Sequence, residues 1–135
     1  MGSTSSKKKA KPVKLKDYVS WFEIPAINFQ NAVTFYNHIY GIEMKIFNNN
    51  EFTMALFPTN GGIGGAVVTG PGSVPSEYGP LVYLNGGKDL NDVLSKVEPA
   101  GGRIIMPKTL IDDEAGYFAV FIDSEGNKLA LHSTK

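Results

Sequence analysis

The sequence contains no cysteine and only two histidines, His38 and His132. Without cysteine there can be no disulfide, no thiolate metal site and no cysteine nucleophile. No apolar run approaches the roughly 20 residues of a membrane-spanning helix, and the N-terminus lacks the apolar segment of a secretory signal. We therefore expect a cytoplasmic protein without a membrane partner.

Acidic residues are absent from the first 16 positions. These carry six lysines, Lys7, Lys8, Lys9, Lys11, Lys14 and Lys16, so the remaining chain has a net charge of −6. A segment with many charges and few apolar groups cannot offset its ordering entropy, which predicts a disordered basic tail over residues 1–16. Residues 17–135 suit a single domain. Its acidic character argues against nucleic acid as a partner.

Two helical patterns repeat along the chain. Asn28 can cap the first helix and Asp89 the second, because short polar side chains satisfy the first backbone N–H groups. Equivalent apolar and glycine positions are 61 residues apart in both, namely Phe29 and Leu90, Ala32 and Val93, Val33 and Leu94, and Gly41 and Gly102. The second helix is predicted to run to the Pro99–Gly102 region. This offset indicates an internal repeat.

One strand-like run precedes each helix and three follow it. They cover 18–24, 42–47, 52–57 and 63–69 in the first half, and 81–85, 103–106, 117–122 and 128–132 in the second. The proline- and glycine-bearing segment 107–116 predicts a loop, and Gly126-Asn127 predicts a hairpin turn with positive φ angles. The pattern is β-α-β-β-β twice, in modules of about 18–69 and 80–133, which is an α+β fold.

Short motifs occur in a characteristic order in the two halves. They are Phe22-Glu23-Ile24-Pro25, Ala32-Val33-Thr34-Phe35-Tyr36, Ala100-Gly101-Gly102, Met106-Pro107-Lys108-Thr109 and Asp123-Ser124-Glu125-Gly126-Asn127. Together with the repeat, they resemble the glyoxalase/bleomycin resistance/dioxygenase superfamily, the vicinal oxygen chelate proteins, over roughly residues 18–132. The resemblance implies two mixed or antiparallel sheets curled into an open trough, with helices outside and a ligand inside.

The resemblance also implies positions for metal ligands. In metalloenzymes of the superfamily, the first strand of each module and the last strand supply them, and these positions fall on Trp21, Leu81 and Ala130. Divalent metals bind carboxylate oxygen or imidazole nitrogen, which these three side chains lack. We therefore expect no metal and no other cofactor.

Strand alternation predicts which side chains line the trough, because neighbouring residues of a strand point to opposite faces. The predicted lining consists of Trp21, Glu23, Leu81, Tyr83, Asn85, Lys128, Ala130 and His132. The predicted core-facing neighbours are Phe22, Ile24, Val82, Leu84, Leu129 and Leu131.

Glu23 and His132 are the candidate catalytic residues. A carboxylate beside the Trp21 ring can act as a general acid or base, and a histidine that titrates near neutrality can assist it. Alternatively, Glu23 is solvated or paired with Lys128, and His132 is a half-exposed residue near the chain end. Trp21 can stack on a flat ligand, fill the trough or pack at a subunit interface.

Three functions follow from these alternatives. The first is metal-independent binding of a small planar or amphipathic molecule. The second is a lactoylglutathione-lyase-like enzyme, a lyase, isomerase or epimerase that uses Glu23 with an atypical metal site. The third is an interaction module whose trough is filled by its own side chains or by a partner subunit. We expect a homodimer in each case.

Overall fold

The computed structural model describes residues 14–135. Most of the predicted tail therefore lies outside the described residues, and Lys14, Leu15 and Lys16 are exposed and outside any helix or strand. The elements are β1 Trp21–Pro25, α1 Phe29–Tyr40, β2 Lys45–Asn49, β3 Phe52–Leu56, β4 Gly64–Thr69, β5 Tyr83–Asn85, α2 Asn91–Leu94, β6 Arg103–Asp112, β7 Gly116–Ile122 and β8 Lys128–Ser133. Among residues 14–135, no helix has the length and apolarity needed to cross a membrane.

The strands form two four-stranded sheets with the same topology. One has the order β1-β4-β3-β2 and the other β5-β8-β7-β6. In each, the first strand runs parallel to the fourth, and the remaining neighbours are antiparallel. These two open, mixed sheets confirm the predicted α+β fold with a repeated β-α-β-β-β unit.

Helix α1 begins and ends where the sequence predicts. The Asn28 side chain accepts a hydrogen bond from the Asn31 N–H at 3.0 Å. Gly41 ends the helix in the left-handed conformation, with φ of 62°, and the Ile42 N–H donates to the Asn37 carbonyl at 3.0 Å. Glycine takes this conformation without the steric cost that a Cβ adds.

The predicted second helix is wrong in length. Helix α2 covers only Asn91–Leu94, and residues 95–101 form turns. Asn, Asp and Ser in this segment are weak helix formers because their side chains compete for backbone groups, and Pro99 lacks the N–H that a longer helix needs. The Asp89 carboxylate accepts from the Asn91 N–H at 3.0 Å and from Lys108 Nζ at 2.9 Å.

The predicted loop over 107–116 is also wrong, because β6 continues to Asp112. The β6–β7 register shifts between Met106 and Thr109, which places Pro107 at an irregularity. Proline lacks a backbone donor and is tolerated in sheets at such bulges. The turn after β7 has one positive φ angle, that of Gly126 at 93°, whereas Asn127 does not share it.

The core lies between α1 and the inner faces of both sheets. Phe35 of α1 stacks on Phe121 of β7 at 6.3 Å, and Tyr36 meets Phe57 edge to face at 5.5 Å. The predicted core-facing residues of the site strands belong to this cluster or pack against it, namely Phe22, Ile24, Val82, Leu84, Leu129 and Leu131. This confirms the alternation on which the predicted trough lining depends.

The turn between β7 and β8 is built around the buried carboxylate of Asp123, which is 3% exposed. It accepts hydrogen bonds from the Tyr36 hydroxyl at 2.8 Å and from the Asn127 backbone and side chain at 2.9 and 3.0 Å. Burial, followed by the nearby Asp123 charge, raises the pKa of Tyr36 well above its ordinary value. The hydroxyl therefore stays protonated and donates.

The same turn forms hydrogen bonds to the first module. Asn127 Nδ2 donates to the Pro25 carbonyl at 2.8 Å, at the end of β1. Glu125 Oε1 accepts from the backbone N–H groups of Ile27 and Asn28 at 2.8 and 2.6 Å, at the start of α1. These bonds fix the end of β1 beside the start of β8.

Replacing Tyr36 with Phe should lower the free energy of unfolding by about 1–3 kcal/mol, because Asp123 loses a donor while remaining buried. Chemical denaturation measures the change. Tyr18→Phe is the matched control, since Tyr18 is 82% exposed, and should change the stability by less than about 0.5 kcal/mol. Equal effects of the two changes would contradict the assigned role of the buried bond.

Gly65→Ala should also destabilise the protein. A Cβ at Gly65 would overlap the Phe22 ring, which lies across the β1–β4 pair. Such overpacking costs about 1–3 kcal/mol, and Phe22→Leu should recover part of it. Gly62→Ala is the control, because its Cβ would meet only Thr59 at an ordinary 3.4 Å. If the Gly65→Ala variant is as stable as the wild type, the prediction is wrong and the Phe22 ring can move away from the added methyl group.

Candidate functional site

The predicted trough residues of the second module share one face of its sheet. Tyr83 pairs with Ala130, and Asn85 pairs with His132, in the parallel register of β5 and β8. Lys128 lies on the same face of β8 as Ala130, two positions away. Leu81 is half-buried and precedes β5, which begins two residues later than predicted.

Trp21 and Glu23 lie together on the first module. Trp21 is 45% exposed, and its ring lies over Gly64, where a Cβ would come within 3.1 Å of it. The indole Nε1–H donates to Glu23 Oε2 at 3.1 Å. Among residues 14–135, Glu23 forms no ion pair with Lys128. The carboxylate therefore has an indole partner rather than an ammonium partner.

Within residues 14–135, one cleft, the larger cleft, lies at the end of β5 and β8. It has a volume of about 470 Å³ and is lined by Tyr83, Leu84, Asn85, Gly87, His132, Ser133 and Thr134. This volume is within the range of roughly 300–1,000 Å³ that is typical of small-molecule sites. The cleft contains three of the predicted site residues, Tyr83, Asn85 and His132.

The smaller cleft lies between β1 and β8 and has a volume of about 150 Å³. Glu23 and Lys128 line it, together with residues of the loop between β4 and β5, among them Ser76 and Tyr78. The loop is held by the Ser76 N–H, which donates to Asn127 Oδ1 at 3.0 Å. Glu23 and His132 thus line different clefts, and the structure does not bring the two candidate catalytic residues together.

Ala130 is fully buried and pairs with Tyr83 in the β5–β8 register. Its neighbour Tyr83 approaches Phe118 of β7, with 6.4 Å between the ring centroids. Phe118 pairs with His132 and therefore lies on the same face. Two aromatic rings therefore lie on the same sheet face as Ala130.

The sequence matches no family model and has no significant match among curated proteins. Several solved structures are similar. A glyoxalase/bleomycin resistance protein from Albidiferax ferrireducens T118 has 14% identity and a TM-score of 0.63, over 85% of this chain and 97% of its own. TnmS3, an antibiotic binding protein from Streptomyces sp. CB03234, has 19% identity and a TM-score of 0.60, over 91% of this chain and 100% of its own.

A third match is the E144Q mutant of glyoxalase I from Zea mays, with 12% identity and a TM-score of 0.66. It aligns with 87% of this chain, which spans 45% of that longer protein. The chain has the glyoxalase/bleomycin resistance fold. At these identities the similarity concerns the fold, and the side chains of this sequence must indicate the function.

The metal-ligand positions that the glyoxalase resemblance implies do not fit a metal here. The Trp21 Nε1–H is a donor already bonded to Glu23, and Leu81 and Ala130 carry no donor atom for a metal. Within residues 14–135, no three acidic or histidine side chains are grouped so that they could hold an ion.

Sequence reasoning missed Phe118 and the residues that complete the larger cleft. Alternation along β7 could have found Phe118, since it lies two residues before Val120 on the face opposite the core. Ser133 and Thr134 carry no comparable signal, because they follow the last predicted strand. Their place in the cleft depends on β8 continuing to Ser133.

Acrylamide should quench the fluorescence of Trp21, the single tryptophan, because 45% of the residue is exposed. Trp21→Ala should cost less than the roughly 3–5 kcal/mol of a buried tryptophan. Quenching is compared with that of free N-acetyltryptophanamide, and stability is measured by denaturation. A blue-shifted, unquenched Trp21 that is worth more than about 3 kcal/mol would instead favour a self-filled trough.

Proposed function

We propose that the protein binds a small planar or amphipathic molecule without using a metal. The observation that carries this proposal is the larger cleft, which combines an aromatic ring with polar groups. Tyr83 is 52% exposed there, and Asn85 and His132 lie beside it. Small-molecule sites typically combine apolar contact area with a few polar groups that orient the ligand.

The fold neighbours are compatible with this proposal. TnmS3 is described as an antibiotic binding protein, so one protein with this fold holds a small molecule. The lack of metal-binding donor atoms at Trp21, Leu81 and Ala130 supports metal independence. The Tyr83–Phe118 pair supplies apolar area on the sheet face of Ala130, one of the positions where the resemblance implies a metal ligand.

The two alternative functions have less support. An enzyme that uses Glu23 with His132 would need the two groups close to one substrate, yet they line separate clefts. A self-filled interaction module would require Trp21 and Tyr83 to be covered, whereas both are about half exposed. A cytoplasmic location and a homodimer stay predictions from the sequence.

The planar amphipathic dye 8-anilinonaphthalene-1-sulfonate tests the proposal. It should bind saturably, and its affinity should be unchanged by EDTA because no metal takes part. Tyr83→Ala should weaken binding by about 1–3 kcal/mol, since the dye loses an aromatic surface. Dye fluorescence and titration calorimetry measure the affinity.

Tyr18→Ala is the matched control, because Tyr18 is 82% exposed and lines neither cleft. It should leave the dye affinity unchanged. Equal weakening by both changes would place the dye elsewhere, and an affinity that EDTA abolishes would contradict metal independence.

A further inference from the structure

The hydrogen bond of the His132 ring determines which of its nitrogens can accept a hydrogen bond from a ligand. Nε2 lies 2.6 Å from the Ala115 carbonyl oxygen. A carbonyl oxygen only accepts, so Nε2 must carry the hydrogen. In the neutral ring Nδ1 is then an acceptor, and within residues 14–135 no donor is bonded to it.

Asn85 offers the complementary group. Its Oδ1 accepts from the Gly87 N–H at 2.8 Å, which fixes the amide so that Nδ2 is its free end. Among residues 14–135, Nδ2 donates to no protein acceptor. Both hydrogens of this nitrogen therefore remain available as donors.

The donor and the acceptor lie side by side. Asn85 and His132 are directly paired across β5 and β8, where neighbouring strands are about 4.8 Å apart. Both residues line the larger cleft with Tyr83. The Tyr83 and Phe118 rings, 6.4 Å apart, continue the same face. The arrangement is an aromatic surface edged by one donor and one acceptor.

We infer that the larger cleft recognises a flat ring that carries an N–H group next to a carbonyl, as in a cyclic amide or imide. The ligand N–H donates to His132 Nδ1, its carbonyl accepts from Asn85 Nδ2, and its ring contacts Tyr83. This inference rests on the proposed function and specifies the ligand class of the same site.

The probes 2-quinolinone and 1-methyl-2-quinolinone test the inference. They share the flat bicyclic ring and the carbonyl, and the methyl group removes the N–H donor. Titration calorimetry or NMR titration should show 2-quinolinone binding about tenfold more tightly, which is the size of one good hydrogen bond. Equal affinities, or no binding of either probe by protein that still binds the dye, would overturn the inference and leave the proposed function standing. No binding of the probes or of the dye would overturn both.

Two variants test whether His132 Nδ1 and Asn85 Nδ2 form the hydrogen bonds to the probes. His132→Phe should reduce the tenfold ratio between the probes to about one, because only the N–H of 2-quinolinone uses Nδ1. Asn85→Asp keeps an acceptor for the Gly87 N–H and removes the donor, so both probes should bind about tenfold more weakly. Circular dichroism first verifies that each variant is folded.

Asn60→Asp is the matched control, since Asn60 is exposed and lies outside both clefts. It introduces the same charge and should leave both affinities unchanged. The inference fails if the His132→Phe variant still prefers the probe with the N–H group. It also fails if Asn60→Asp weakens binding as much as Asn85→Asp, because the effect of Asn85→Asp would then not reflect a hydrogen bond to the ligand.

Discussion

The buried carboxylate of Asp123 is the constraint on which the arrangement of the two modules depends. A carboxyl group that is almost inaccessible to water must have its hydrogen-bonding capacity met, and a missing partner costs more than an ordinary bond contributes. Here the partners come from α1 through the Tyr36 hydroxyl and from the turn itself through Asn127. Asn127 in turn bonds to the end of β1 at Pro25. One short turn therefore joins the helix and the edge strand of one module to the last strand of the other.

The chemistry of the trough follows from the strand that leaves this turn. Because β8 begins at Lys128, its alternation places Lys128, Ala130 and His132 on the trough face and Leu129 and Leu131 in the core. The middle position, Ala130, carries no carboxylate, and the rings of Tyr83 and Phe118 lie on the same face. Alanine thus leaves a position at which the resemblance implies a metal ligand without a donor atom, on a face that carries two aromatic rings. These two features favour the same function, the binding of a flat organic molecule.

The sequence predicts the fold better than the site. Hydrophobic periodicity and the 61-residue repeat are local signals, so α1, its caps and the faces of the strands follow from them. The long β6 could not be predicted, because tertiary pairing overrides local propensity there: β6 continues past Pro107 since it pairs with β7. The short α2, in contrast, agrees with the weak helix propensity of its own residues, which the 61-residue repeat masks. The separation of Glu23 from His132 depends on how the two sheets are placed, and strand alternation carries no information about that placement. Phe118 is predictable, because alternation along β7 places it on the face opposite the core.

Hydrogen bonds within the protein fix the orientation of the polar residues that line the larger cleft. A ligand would therefore meet groups that are already in place. The Asn85 carbonyl accepts from the Tyr40 hydroxyl at 2.7 Å, and burial raises the pKa of Tyr40 so that this hydroxyl keeps its proton. The Asn85 side chain is fixed by Gly87 and the His132 ring by Ala115. Groups that are already oriented lose little conformational entropy when a ligand binds. Glu23 and Lys128 of the smaller cleft, in contrast, are exposed side chains, and the partner of Glu23 is the half-exposed Trp21 indole. Selectivity for a ligand should therefore come from Asn85 and His132 in the larger cleft. Glu23 and Lys128 in the smaller cleft should contribute less to it.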